Sequence, residues 1–83
     1  MKYRLSWLEY WSTKRESLDP RVITLFNEES DGWFEHERIL YFVESNDTRA
    51  KNIAKRYVET SDDTIEVFSL TRNNKVILTE EEL

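Results

Sequence analysis

Cysteine is missing altogether from this chain, which excludes disulfides, thiolate metal sites and cysteine nucleophiles together. Glycine and proline occur once each, at Gly32 and Pro20. Loops that wrap phosphates need several glycines so that backbone amides can turn inward, and the common nucleotide-dependent enzymes are therefore not expected. The same scarcity argues against a long flexible linker. Long apolar runs are also lacking. The longest, Ile39 to Val43, is five residues, against the roughly 20 that cross a bilayer. The opening residues, Met1-Lys2-Tyr3-Arg4-Leu5-Ser6, break their apolar character too often for a signal peptide. With neither staples nor leader, the expected location is the cytoplasm.

What is present is charge and aromatic bulk. Seventeen acids against twelve bases give a net charge of −5 over 83 residues. This opposes whole-surface attraction to nucleic acid or anionic membranes. It suits a soluble acidic protein, one with a basic partner, or a mimic of nucleic-acid charge. A chain of this length forms one domain, residues 1–83, in which every large side chain counts because so little surface is buried.

Along the chain, Tyr3, Leu5 and Trp7 alternate with Lys2, Arg4 and Ser6, the period of a half-buried strand. After Trp7 the alternation fails, because Leu8, Tyr10 and Trp11 put apolar groups on both faces. Residues 19–32 read two ways. Asp19-Pro20 is a helix-start signal with Gly32 available as a stop. Val22, Ile23 and Thr24 are β-branched, and Asp31-Gly32 suits a hairpin turn. The balance favours a strand over 21–27. Residues 33–43 end in a β-branched and aromatic run that reads as a central strand. Ala50, Ile53, Ala54, Tyr57 and Val58 then recur at helical spacing behind the capping candidates Ser45, Asn46 and Asp47. A polar break at 60–63 follows, then a hairpin of residues 64–71 and 75–79 around Asn73-Asn74. Residues 80–83 read as a frayed acidic end. The expected fold class is α+β: a mostly antiparallel β-sheet with one amphipathic helix packed on one face, in the order β-(β or α)-β-α-β-β.

No motif names a reaction, and no catalytic, metal or cofactor residues are expected. Asn27, Glu29, Asp31 and Gly32 have the spacing of a calcium loop, but the twelfth position, which should be a bidentate glutamate, is Arg38. His36, the one histidine, reads as solvated between Glu35 and Glu37. Pairings with Ser30 or Asp62 can be drawn but have no spacing behind them. Two surfaces carry more. Arg49, Lys51, Lys55 and Arg56 give the helix a basic outer side, suited to an acidic or phosphate-bearing partner or to plain solvation. The rings of Trp7, Tyr10, Trp11, Trp33 and Phe34 lie on strands whose neighbours point to opposite faces, while one helix covers only one face. Either residues 12–31 fold over the surplus rings, or the rings form a protein-interaction surface.

Residues Tyr41-Phe42-Val43-Glu44-Ser45-Asn46-Asp47 followed by Ala50-Lys51-Asn52-Ile53-Ala54-Lys55-Arg56-Tyr57-Val58-Glu59 resemble small bacteriophage- and plasmid-borne accessory proteins of strand–helix–hairpin type. The resemblance implies a regulatory or inhibitory role, exercised in the host cytoplasm. The reading that follows is a non-catalytic protein-binding module, inhibiting or regulating a host or defence protein, or a homodimer. The alternative is a nucleic-acid-associated protein using the basic helix face, and a small enzyme without a recognisable motif stands third.

Overall fold

Alternation at the first residues does produce a strand, and it runs through the point where the pattern breaks: β1 spans Lys2–Trp11. The computed structural model of the chain describes residues 1–60 and 65–82, except for the side chains of residues 28, 29 and 80. β2 (Ile23–Ser30) and β3 (Trp33–Val43) follow, then helix α1 (Asp47–Glu59). The strands β4 (Glu66–Arg72) and β5 (Lys75–Thr79) lead into a 3-10 turn at Glu80–Glu82. The five strands form one sheet in the order β2-β3-β1-β4-β5, and every hydrogen-bonded pair is antiparallel. The fold is α+β, as the sequence predicts.

The ambiguous segment resolves as a strand. The side chain of Asp19 accepts from the Arg21 amide (2.9 Å), and its carbonyl accepts from Val22 N–H (3.0 Å). The helix-start signal is thus spent on a turn that aims β2, with Pro20 inside it. Asp31 and Gly32 both take positive φ, as do Asn73 and Asn74. Two residues of left-handed conformation between strands match the right-handed twist of a tight hairpin, and Gly and Asn tolerate it best. Where fraying was expected at 80–83, Glu80–Glu82 form the 3-10 turn. Leu83 and most of the expected polar break at 60–63 lie outside the described residues.

β3 and β4 are both antiparallel to β1 and therefore run the same way, so α1 is a crossover connection passing over β1. Asn46 caps it, its side chain accepting from Arg49 N–H (2.9 Å). Ala50 and Ala54 are wholly buried, and their small size lets the helix axis approach the sheet closely. Beneath lie Tyr3, Leu5, Trp7, Leu40, Phe68, Leu70 and Leu78. Tyr57 stacks at a tilt on Trp7, with centroids 5.1 Å apart. Asp47, in the first turn, accepts from Tyr3 Oη (2.8 Å) and from two nitrogens of Arg72, fixing the helix start to β1 and β4. Of the five positions expected to face the core, Ala50, Ala54, Tyr57 and Val58 pack into it, while Ile53 is half-buried and outside the core cluster.

Candidate interaction surface

The helix covers only part of its face of the sheet, and the remainder carries polar side chains. Counting inward from Leu40, the alternation places Arg38, His36 and Phe34 of β3 opposite Trp7, Glu9 and Trp11 of β1. His36 is wholly buried, not solvated as its glutamate neighbours suggest; Glu35 and Glu37 take the opposite face and leave the imidazole inside. Its Nε2 accepts from Arg15 N–H (2.8 Å), so the other nitrogen, 3.0 Å from the Phe34 carbonyl, carries the proton and donates there. Arg38 donates to Glu9 Oε2 (3.1 Å), to the Arg15 carbonyl (2.7 Å) and to Thr24. Glu9 also accepts from the indole nitrogens of Trp7 (2.6 Å) and Trp11 (3.1 Å). Burial alone would raise the Glu9 carboxyl, but the Trp7 N–H, the Arg38 charge and the Trp11 N–H together hold it below its ordinary value.

The chemistry of this network is structural. Both backbone groups of Arg15 are clamped, and its guanidinium lies 3.8 Å from the centre of the Trp11 ring. Residues 12–22 are thereby strapped over the open end of the helix-side face, and no buried side-chain nitrogen or oxygen lacks a partner among the described residues. Trp7, at 3 % exposure, is core. Trp11 and Phe34 belong to the strapped end, half-buried. These three rings lie on the helix-side face, apart from Tyr10 and Trp33 on the opposite one.

Among the described residues, no layer covers the opposite face. The register puts Leu8 and Tyr10 of β1, Ile23 and Leu25 of β2, and Trp33, Ile39, Tyr41 and Val43 of β3 on it together. Most of the large apolar side chains that the fold exposes belong to this face: Tyr10, Ile23, Leu25, Trp33, Tyr41, Val43 and, on β5, Val76. Tyr10, 43 % exposed, donates to Glu35 Oε1 (3.0 Å), which raises its phenol above the ordinary value. Asn27 donates to the other oxygen of Glu35 (2.7 Å). At the centre Ile39 is buried between its strand neighbours Ser6 and Ile23, and Ser6 and Ser69 share a hydrogen bond (3.2 Å). Charge is sorted along the strands. Lys2 and Arg4 lie at the end of Tyr41 and Val43, whereas Glu35, Glu37 and Glu66 lie at the end of Leu8 and Tyr10. Of the sequence-selected rings, then, only Tyr10 and Trp33 share an open surface.

The basic residues of α1 do not form one patch. At about 100° per residue, Lys51 and Lys55 lie on one flank and Arg49 and Arg56 on the other, with Asn52 and Glu59 on the ridge between. Lys51 and Lys55 are half-buried, and Arg49 approaches Glu44 at 3.9 Å. Asn27 and Asp31 sit on β2 and its turn, and no group of three His, Cys, Asp or Glu among the described residues is arranged to hold a metal ion. Asp62, paired on paper with His36, lies outside the described residues.

Sequence reasoning missed Ile23, Leu25, Ile39, Tyr41 and Val43 as one surface, although their odd numbering on β2 and β3 is the signal that unites them. The same parity rule would have placed His36 and Arg38 beside Leu40, inside. Compared with known protein families, curated proteins and solved structures, the chain matches none.

Proposed function

We propose that the chain is a non-catalytic protein-interaction module whose docking surface is the uncovered face of the sheet. The observation that carries this reading is the collection of exposed large side chains on that one face, centred on Tyr41, Leu25 and Ile23. Scattered apolar residues are normal on any surface, but a contiguous patch rimmed by polar groups marks an interaction site. The aromatic members Tyr10, Trp33 and Tyr41 are of the kind that supply contact energy, while the sorted charges steer and orient. The resemblance of residues 41–59 to phage and plasmid accessory proteins supports a role as regulator or inhibitor of a host or defence protein in the cytoplasm.

The test is site-specific photo-crosslinking in bacterial cells producing the chain, with the photoreactive amino acid replacing Tyr41 in one variant and Asn52 on α1 in another. A discrete crosslinked product from position 41, absent from position 52, is expected. No product at 41, or the same products from both positions, removes the sheet face as the docking surface.

A further inference from the structure

We infer that the occupant of the uncovered sheet face is a second copy of this chain, stacked face to face with its strands reversed. This rests on the reading of that face as the docking surface and specifies its partner.

The argument starts from charge. Arg4 and Glu37 are two strand positions on either side of the central row formed by Ile23, Ile39, Ser6 and Ser69. They are therefore separated along the strands by about 13 Å, at ~3.3 Å per residue. The Arg4 side chain has no ion-pair partner among the described residues, its one hydrogen bond being a long one to Ser6 Oγ (3.5 Å). The Glu37 side chain has neither hydrogen bond nor ion pair among them. Two copies packed through the same face are related by a two-fold axis lying in the plane between the sheets. An axis along the strands would stack Lys2 and Arg4 on themselves and Glu35 and Glu37 on themselves. An axis across the strands reverses them, setting Tyr41 over Glu37 and Arg4 over Leu8, one strand from that same Glu37. A long arginine side chain spans this offset across layers about 10 Å apart. The sorted charges thus select the second arrangement, and both Arg4–Glu37 pairs form at once by symmetry.

Size and shape agree. The molecule measures 40 × 25 × 23 Å, so the sheet presents nearly its largest dimension. The five strands, 10, 8, 11, 7 and 5 residues long, make a face on the order of 650 Å² at ~4.8 Å spacing and ~3.3 Å per residue, near the ~800 Å² each partner contributes to a stable interface. In the central row Ser6 and Ile39 are buried among their neighbours, while Ile23 stays exposed. The exposed rings of Tyr41 and Tyr10 stand at opposite ends of the face, so that each meets the other's end on the reversed copy. Edge-to-edge pairing is disfavoured instead, because β2 is bulged between Phe26 and Glu29 and β5 is only five residues long.

The experiment is sedimentation equilibrium from micromolar to near-millimolar concentration on the unaltered chain, Arg4→Glu, Glu37→Arg, their equimolar mixture and the double variant. The unaltered chain is expected to dimerise. Each single change places like charges at both symmetric positions and weakens association at least tenfold. The mixture and the double variant restore opposite charges and recover association, which also shows that each single variant remains folded. A monomeric unaltered chain, single variants that associate normally, or no recovery in both mixture and double variant would overturn the reversed dimer. If that happens while position 41 still crosslinks to a different protein, the docking surface stands and only its occupant is wrong. If position 41 yields nothing, both fall together.

Discussion

At the scale of single residues, Val67 is the odd one out: a β-branched side chain with φ of 49°, more than half exposed, in the bulge where β4 shifts register against β1. The left-handed region costs an L-residue about 1–2 kcal/mol and a β-branched one most, while little burial offsets it here. Val67→Asn should stabilise the fold by about 0.5–1 kcal/mol, raising Tm by several degrees in a thermal melt. Glu9 is the opposite case, a carboxylate bound on both oxygens inside the protein. Its folded pKa is depressed, so its stabilising contribution is present above the unfolded value near 4.5 and fades as pH falls through the folded one. Stability should drop steeply on acidification below about pH 4.5, and Glu9→Gln should flatten that slope in urea titrations while lowering stability at neutral pH. None of this network is visible in composition. Glu9 and Arg38 are far apart in sequence, and only the pairing of β1 with β3 makes them neighbours. The burial of His36 was legible in principle, because it shares the parity of Leu40, but the two flanking glutamates are the louder signal.

At the scale of elements, the order of strands and helix was readable because the local signals agreed with the packing. Ala50, Ala54, Tyr57 and Val58 keep helical spacing, and Asn73-Asn74 permit the turn that joins β4 to β5. Asp19-Pro20 misled in part, because an aspartate that accepts from nearby amides serves a turn as well as a helix start. What no local rule could supply was the residue at which α1 meets the sheet. The fully buried positions of α1 are Ala50 and Ala54, and enlarging the second by Ala54→Leu should cost about 1–3 kcal/mol through overpacking. Lys51→Ala, on the flank, should stay within about half a kcal/mol. Urea unfolding monitored by circular dichroism separates the two. Equal effects would mean that the helix contacts the sheet through a different stripe.

At the scale of the whole molecule, the sequence showed that apolar groups exceed what one covered face can take, but not which of them would be left outside. That depends on α1 crossing over β1 and on residues 12–22 closing the same side, both non-local choices. Trp7, Trp11 and Phe34 went in, and Tyr41, Leu25 and Ile23 stayed out. Charge is likewise distributed rather than massed: the basic residues of α1 occupy two flanks of a molecule whose net charge is −5. Binding to single- or double-stranded oligonucleotides should therefore be weak at physiological salt, and reversing Arg49, Lys51, Lys55 and Arg56 to acids should leave the fold intact. Fluorescence anisotropy across a salt series checks this. Tight binding with a steep salt slope that the reversal abolishes would favour a nucleic-acid partner.

The place of β1 in the sheet has a further consequence, in time rather than in space. Of the five strands, the first in sequence is the central one, with β3 on one side and β4 on the other. Its first partner begins at Trp33 and its second at Glu66, close to the far end of the sequence. During translation Tyr3, Leu5 and Trp7 of β1 therefore wait for the cover of α1, which ends at Glu59, and the pairing of β1 with β4 is a late, non-local event. A topology of this kind folds in milliseconds to seconds rather than microseconds, because loops must close before contacts reward them. The same rings that form the core of the finished protein are, for that interval, its most adhesive surface.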